Sequence, residues 1–393
     1  MSPLTSRERM LKAINHEEAD HIPCSFMSFT ALRERMGDDF YKLCNAELDM
    51  GLDSMLFLPY LSRAERPDHP ELRGLPVHFH SAVETKEWRE DQAGASGILH
   101  KEYITPAGNL TTSVKLSEDW PHGDHIPFVD DFQVPRAIKP LITEAGDLAA
   151  LQYLLQPPTD DDRIYFDRET AKAKDFIEDK GVLLVGGWGV GMDMANWLCG
   201  MQGLMILAIS NRGFVEDLLD LIHRWNLERM KVVLSGKIDL YLRRSWYEGC
   251  DFVLPGFYQD VILPRLKEEV DLAHEYGAKF GYICSSGLIP MLDYHKQAGF
   301  DVLIGIDPVQ GTNTDLPTVK ESYGDQIAIW GGVSGAITVE MGTEPEINAA
   351  VDKAVEELGP RGFILSPVDN ITVDKPKTWQ NIDLFIDAWK RHW

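Results

Sequence analysis

Eight short runs of apolar and β-branched residues, separated by stretches of helical periodicity, constrain the fold of this chain more than any other feature. They are "HIPCSF" (21–26), "SMLFLP" (54–59), "VLLVGG" (182–187), "DLYLRRSW" (239–246), "KFGYIC" (279–284), "VLIGID" (302–307), "AIWGG" (328–332) and "GFILSP" (362–367). Strands that alternate with helices pair in parallel, and eight such units predict an α/β fold of the closed (β/α)8 TIM-barrel type. The rhythm breaks between the second and third runs. Residues 64–140 are rich in Thr, Val, His, Gly and Pro, with turn signals at "AGASG" and "TPAGN", and predict an antiparallel β-hairpin insertion. The expectation is one barrel domain over residues 1–393 that carries this insertion.

Composition narrows what such a domain can do. A chain of 393 residues with 44% hydrophobic content can bury a large core. No apolar run reaches the roughly 18 residues of a membrane span, and the N-terminal stretch has no apolar signal core, so the expectation is a cytoplasmic protein with no membrane partner. Cys24, Cys44, Cys199, Cys250 and Cys284 form no CxxC pair and are odd in number, which argues for reduced thiols. A formal charge of −24 disfavours nucleic acid, whose phosphates demand Lys and Arg.

In a TIM barrel the chemistry sits at the C-terminal ends of the strands. The residues expected there are Met27; Trp188, Met192 and Asp193 in "GGWGVGMDMANW"; Arg243, Trp246 and Tyr247; Tyr282 and Cys284; Asp307; and Asp369 and Asn370 in "SPVDNIT". Such a rim is aromatic and Met-rich with few cations, and suits a flat or apolar small molecule. Each of these residues has an equally simple reading as packing of the barrel mouth. Arg243 either binds a substrate carboxylate or pairs with Asp239 or Glu248.

Within the insertion, "ETKEWREDQAGASGILHKEY" (84–103) carries two glutamates on either side of a Gly-containing turn. A two-residue turn at Gly94-Ala95 would set Glu87 directly opposite Glu102, with Cβ atoms about 5 Å apart. Facing carboxylates hold a proton or a cation between them, and a metal is one resolution. In the same register Arg89 and His100 share the face and offer another. A longer "AGASG" loop would shift the pairing altogether. His78, His80, His100, His122 and His125 lie in the same insertion, and imidazole beside carboxylate is a donor set that zinc accepts.

The segments "TSRERMLKAINHEEADHIP", "PGFYQDVILPRLKEEVDLAHEYGAKFGYICSSGLIPMLDYHKQAGFDVLIGIDP", "WGGVSG" and "GFILSPVDNI" resemble the uroporphyrinogen decarboxylase superfamily across nearly the whole chain. That superfamily contains decarboxylases and cobalamin-dependent methyltransferases on one barrel fold, so the fold leaves function open. Decarboxylases carry an Arg-rich "RQAGRY"-like segment after the first strand. Here "SFMSFTALRERMG" stands in that place, with only Arg33 and Arg35 nearby. Thiol methyltransferases hold zinc with His-x-Cys and a later Cys, where this chain has Tyr282-Ile283-Cys284 and Val368-Asp369. A lone Cys284 is no zinc site. The chain is more similar to the first methyltransferases of aryl O-demethylase systems, whose zinc motif is Glu, fourteen residues, Glu, twenty residues, His, a spacing that His122 misses by one. Fourteen residues lie between Glu87 and Glu102, nineteen between Glu102 and His122, and twenty-two between Glu102 and His125.

That resemblance implies Zn2+ on Glu87, Glu102 and His122, with His125 as the alternative third ligand. It implies a small methoxylated aromatic substrate among Met27, Trp188, Met192, Arg243, Trp246, Tyr247 and Cys284, with Asp193, Tyr282 and Asp369 in catalytic roles. The metal would stabilise charge on the ether oxygen, and the methyl group would pass to a Co(I) corrinoid on a partner protein, because the corrinoid-binding Asp-x-His-x-x-Gly motif is absent here. Members of the superfamily also form homodimers. The competing readings are a decarboxylase or lyase with Asp193 or Asp369 as acid, a methyltransferase for methylated thiols or amines, and a non-catalytic scaffold for the corrinoid protein.

Overall fold

The computed structural model describes residues 3–58, 61–91, 97–312 and 314–393. Its strands are β1 (Met55–Leu58), β2 (Glu84–Glu90), β3 (Ile98–Thr105), β4 (Gly108–Lys115), β5 (Ala137–Lys139), β6 (Leu183–Gly189), β7 (Leu240–Arg244), β8 (Lys279–Ile283), β9 (Val302–Ile306), β10 (Ala328–Ser334) and β11 (Phe363–Val368). Strands β1 and β6 to β11 form one seven-stranded sheet in chain order, and every pairing described in it is parallel. A curled parallel sheet with helices between its strands is a TIM-barrel-like α/β fold. Contacts divide the chain into two compact units: Met1–Tyr60, Arg168–Gly187 and Leu234–Trp393 form the first, and Leu61–Asp167 with Trp188–Val233 the second. The second thus takes in helical residues beyond the expected insertion at 64–140.

In the first unit the seven strands coincide with the apolar runs at 54–59, 182–187, 239–246, 279–284, 302–307, 328–332 and 362–367, apart from Pro59, which lies outside the described residues. Every residue of β1, β7, β9, β10 and β11 is buried, as expected of strands covered on both faces. The run at 21–26 is different. It contributes a single parallel bridge, Cys24 to Leu365, in which Ser25 donates its N–H to Leu365 and Leu365 donates to Pro23. Asp53 donates its N–H to Cys24, so this short segment reaches from β11 to the chain just before β1. Pro23 has no N–H to give, which limits how far pairing extends.

The starts of several strands are clasped by the first helix, Ser6–Ile14, which opens with a capping box between Thr5 and Glu8. Arg7 bonds Asp239 at 2.6 Å just before β7, and Asp239 also accepts the N–H of Leu184 in β6. Arg9 bonds both Asp53 and Asp20. Asp239 is therefore the partner of Arg7.

In the second unit β2 to β5 form a four-stranded antiparallel sheet, larger than the single hairpin expected. Its buried cluster is Leu99, Val114, Trp120 and Ile126. The pairing of β2 with β3 corrects the expected register by one residue: Glu87 faces Lys101, and Glu102 faces Lys86. Successive side chains leave a strand on opposite faces, so Glu87 and Glu102 lie on opposite sides of the sheet. Along β3 the buried positions are Leu99, Lys101, Tyr103 and Thr105, which places Glu102 on the other face, where it accepts a bond from Asn109. The turn at Gly94-Ala95 lies outside the described residues. Arg89 bonds Asp91 and Asp124, whereas His100 stacks on Trp88, so neither neutralises the glutamates.

Glu87 finds its cations among other groups. His125 Nδ1 lies 3.0 Å from Glu87 and Nε2 lies 3.4 Å from Asp68. The buried Lys101 ammonium is 2.6 Å from Asp68 and 3.4 Å from Glu87, and it donates to the carbonyl of Ile126. The N–H of Ile126 donates back to Glu87 at 2.9 Å. Two carboxylates and two cations thus fasten residues 125–126 to the sheet. Hydrogen bonds to Asp68 and Glu87 raise His125 from 6.5 to about 9. Burial raises Asp68, but its bonds to His125 and Lys101 outweigh that and bring it from 3.8 down to about 2. Glu87 is lowered in the same way, against its own burial, by His125, the Ile126 amide and Lys101.

The raised histidine stabilises the fold fully below its unfolded value near 6.5, and that contribution disappears as pH rises through about 9. The depressed carboxylates contribute above their unfolded values of 3.8 and 4.5, and lose this as pH falls through their folded values. The network is therefore complete between about pH 4.5 and 6.5. The His125 ring, followed by NMR, is expected to titrate near 9, with Glu87→Gln moving the midpoint back toward 6.5. A wild-type midpoint already at 6.5 would contradict the network.

Candidate functional site

Strand β7 carries adjacent arginines, and the pleat sends them to opposite faces. Arg243 turns toward the helical layer: its Nε bonds Glu269 of helix Leu263–Glu275 at 2.7 Å, and its Nη1 bonds Glu248 at 2.6 Å and also Ser245. Tyr282, the partner of Arg243 on β8, turns the same way. Its hydroxyl donates to Glu248 at 2.7 Å, and its ring lies against His295 of helix Leu292–Ala298 and stacks on Phe300. Arg244 occupies the inner face of the curled sheet. A Cβ at Gly281 would meet Ile304, Leu242 and Leu240, which marks those positions as that same inner face, and Arg244 follows Leu242 by two. Its guanidinium lies 4.3 Å from the centroid of Trp246.

This arrangement decides between the two uses of Arg243. It is 2% exposed between two carboxylates, Glu248 and Glu269, themselves 1% exposed, so its charge is consumed inside the protein rather than offered to a substrate. The same carboxylates hold the guanidinium well above its ordinary range, against the cost of burial. Tyr282 is equally unsuited to proton transfer at the expected site. Burial, with Glu248 beside it, raises its phenol well above the usual range. Tyr258, also fully buried near Glu248, is raised for the same reason. Both Arg243 and Tyr282 therefore act as positioning residues. Through Glu248 they fix the loop after β7, and with it Trp246 and Tyr247, which packs edge-on against Phe252.

The loops beyond β7, β8 and β9 are keyed to one another. Cys250 donates its N–H to Gly287, Gly287 donates to Thr312, and Asp251 accepts both the N–H and the hydroxyl of Thr312. Gly249 and Gly287 leave no room for a side chain: a Cβ would fall 2.0 Å from the Ser286 carbonyl and 2.5 Å from the Cys250 nitrogen, respectively. Cys284 is fully buried beneath them, its thiol directed at the Ser286 carbonyl. Asp307 accepts the N–H groups of Val309 and Gln310 and the Gln310 amide, so it shapes the loop after β9. Past β11, Asp369 is exposed, while the Asn370 side chain accepts the N–H of Thr30 and donates to its hydroxyl, capping the helix Thr30–Met36. Met27 is buried in this unit.

Trp188, Met192 and Asp193 belong to the second unit and are all buried. Arg73 stacks on Trp188 at 4.3 Å from the ring centroid. The zinc set expected in this unit does not assemble. Glu87 and Glu102 occupy opposite faces, and His122 lies 3.3 Å from Asp130 and edge-on to Trp120 and Phe132. His125 does join Glu87, but with Lys101 in the position a cation would need. Among the described residues, no group of three or more His, Cys, Asp or Glu side chains converges for a metal ion.

The sequence reading passed over Arg244, Glu269 and Arg73. Glu269 was visible: it sits in the apolar stripe Leu266, Val270, Ala273, where a charge needs a buried partner. Arg244 needed only the phase of β7. Truncating Arg243 to Met leaves two buried carboxylates without their cation, and is expected to destabilise the protein by about 3–5 kcal/mol. Urea unfolding measures this. An unchanged midpoint and slope would remove the network from its structural role.

The family model for uroporphyrinogen decarboxylase (URO-D) matches residues 120–392, well over half of the chain. No curated protein matches the sequence. Among solved structures, a methyltransferase from Methanosarcina mazei superimposes over 99% of this chain and 99% of its own at 16% identity, with a TM-score of 0.59. A B12-independent methionine synthase from Shewanella sp. W3-18-1 aligns over 94% of this chain and 97% of its own at 9% identity and a TM-score of 0.48. At 16% identity the likeness to the Methanosarcina mazei methyltransferase concerns the fold alone. On the strength of the family match, together with the parallel sheet and the segments that run through it, the chain belongs to the uroporphyrinogen decarboxylase family.

Proposed function

We propose that this protein is a methyltransferase that takes the methyl group of a small methoxylated aromatic molecule and delivers it to a corrinoid carried by a partner protein. The observation that carries this reading is the fate of the arginines. A porphyrinogen decarboxylase needs cations to hold several substrate carboxylates. Here Arg33 is bound by Asp38, Arg35 by Asp374 and Arg243 by Glu248 and Glu269, so each guanidinium is neutralised by the chain itself. Arg35 also stacks 3.8 Å from the centroid of Trp379. On the inner face the buried Arg244 guanidinium lies over Trp246, an aromatic and cationic pairing of the kind that receives an aromatic ring. The Methanosarcina mazei methyltransferase shows that the same fold serves methyl transfer, which agrees with this choice.

A reduced corrinoid, Co(I), supplies the nucleophile strong enough to take a methyl group from an aryl ether. This chain's own share is to bind the donor and orient its methyl group, with Arg244 and Trp246 on the inner face and the keyed loops above them. The stretch Asp293-Tyr294-His295-Lys296-Gln297-Ala298-Gly299 places its Gly one residue beyond the corrinoid-binding spacing. Its His295 is fully buried, bonded to Tyr323 at 2.6 Å and surrounded by the rings of Tyr258, Tyr282 and Phe300, which supports a carrier on a separate protein. Zinc activation of the ether oxygen is not part of the proposal, because the residues named for it do not meet. The family match itself favours one second reading, decarboxylation.

Incubating the protein with Co(I) cobalamin and a panel of methoxylated benzoates and phenols is expected to produce methyl-Co(III) absorbance with at least one donor. CO2 release from a porphyrinogen, with no methylation of cobalt by any donor, would establish the decarboxylase reading instead.

A further inference from the structure

The parallel sheet of the first unit is thinly joined at the apolar run 21–26. That run makes one bridge to β11, whereas β10 and β11 share six paired positions. Asp53 ties it toward β1: it gives its N–H to the Cys24 carbonyl, accepts the Cys24 N–H on its carboxylate at 3.0 Å, and pairs with Arg9. Ser54 follows at once, and its carbonyl accepts the N–H of Leu183 in β6 at 3.2 Å. The Ser54 side chain is fully buried and meets helix Phe40–Asp49. Its hydroxyl lies 2.5 Å from Glu47 Oε2 and 3.1 Å from the buried Cys44 thiol. A thiol, a hydroxyl and a carboxyl thus join the helix to this seam.

The bonding of Glu47 suits an acid rather than a carboxylate. An ionised carboxylate can accept about four hydrogen bonds. Among the described residues Glu47 has one donor, the Ser54 hydroxyl, and that hydroxyl has a single proton for two contacts. A Glu47 that keeps its proton satisfies both, because it donates to Ser54 and Ser54 donates to Cys44. Nor does a nearby cation compensate an ionised form. Arg9 is held by Asp53 and Asp20, Lys390 lies over Gly51 and acts on Cys24, and Lys180 acts on Cys44. On the same helix Lys42 pairs with Asp39, Asp49 is exposed, and Tyr41 feels Glu169. Glu47 itself feels burial, which raises it from 4.5 to about 8 against the opposing Ser54 bond. Burial also pushes the Cys44 thiol up to about 12, so Glu47 is the member of the chain that titrates near neutral pH.

We infer that Glu47 is a proton-operated latch on this seam. Protonated, it holds the end of helix Phe40–Asp49 against Ser54; when its O–H bond breaks and the proton passes to water, the helix end lifts and the carboxylate is hydrated. The bonds that open with it are those from the Leu52 N–H to the Glu47 carbonyl at 3.0 Å and from Gly51 to Leu48 at 2.9 Å, immediately before Asp53. The open form carries an ordinary carboxyl that ionises at 4.5, and the closed form keeps its proton to about 8. The closed form is therefore favoured in full below 4.5, and this advantage is lost as pH rises to about 8. Across that window opening becomes about tenfold easier with each pH unit, and beyond it no further change occurs. Glutamine would fill the same space and bond Ser54 at every pH. What the carboxyl adds is the dependence on pH.

Amide hydrogen exchange of the full chain between about pH 5 and 9, with each rate divided by the intrinsic rate at that pH, tests this. Protection of the Leu52 amide is expected to fall about tenfold per pH unit up to about pH 8 and then stay constant, whereas in Glu47→Gln it is expected not to vary with pH. The Glu47 carboxyl, followed by 13C NMR in the wild-type protein, is expected to titrate near 8. Ser54→Ala is expected to move that midpoint higher, because the bond that opposes burial is gone. Leu52 protection that ignores pH in the wild type, or that changes equally in Glu47→Gln, overturns the inference. A wild-type midpoint near 4.5 overturns it as well, and that measurement needs no variant to fold.

Discussion

A β-strand has two faces, and consecutive residues cannot share one. In the first unit this alternation sorts each strand between an inner surface and a helix-covered surface, both of them dry. A charge delivered to the helical side must be met there, which is why Arg243 comes with Glu269 from a helix and Glu248 from the loop after its own strand. One residue later the same backbone presents Arg244 to the inside. Two adjacent, chemically identical side chains thus enter unrelated surroundings, one between two carboxylates and one against the ring of Trp246.

The antiparallel sheet obeys the same constraint with a different outcome. Glu87 and Lys101 share a face because the register pairs them, and Glu102 is turned away by the next pleat. A buried lysine on a sheet face is costly unless its ammonium is fully bonded. Asp68, Glu87 and the Ile126 carbonyl meet that demand. The network is then a means of holding the segment around His125, rather than a place for a metal.

These two cases show what the sequence could and could not disclose. The apolar runs marked the parallel strands well, because burial on both faces writes a continuous hydrophobic signal that does not depend on phase. The run at 21–26 looked equally strong and yields only one bridge, since proline at position 23 limits its ladder. Phase and register left no such signal. The spacing of Glu87 and Glu102 is real, but whether such residues face each other is set by the turn between them and by what each strand buries. Lys101, one position before Glu102, was the clue: a lysine between Leu99 and Tyr103 keeps step with the buried face. The expected insertion ended at residue 140, although contacts group residues 188–233 in the same unit as the antiparallel sheet. Long-range contacts of that kind leave little trace in local composition.

The glycines over the strand ends have a consequence for how such a protein changes over generations. Backbone from three successive loops meets with no side-chain volume between, so a substituent at Gly249 or Gly287 would displace two loops at once. Variation that retunes the binding surface must therefore enter elsewhere, through the side chains that these loops and strands hold up, such as Arg244, Trp246 and Tyr247. A mutagenesis library that spares the glycines and randomises those positions would explore new substrates without first having to rebuild the platform that presents them.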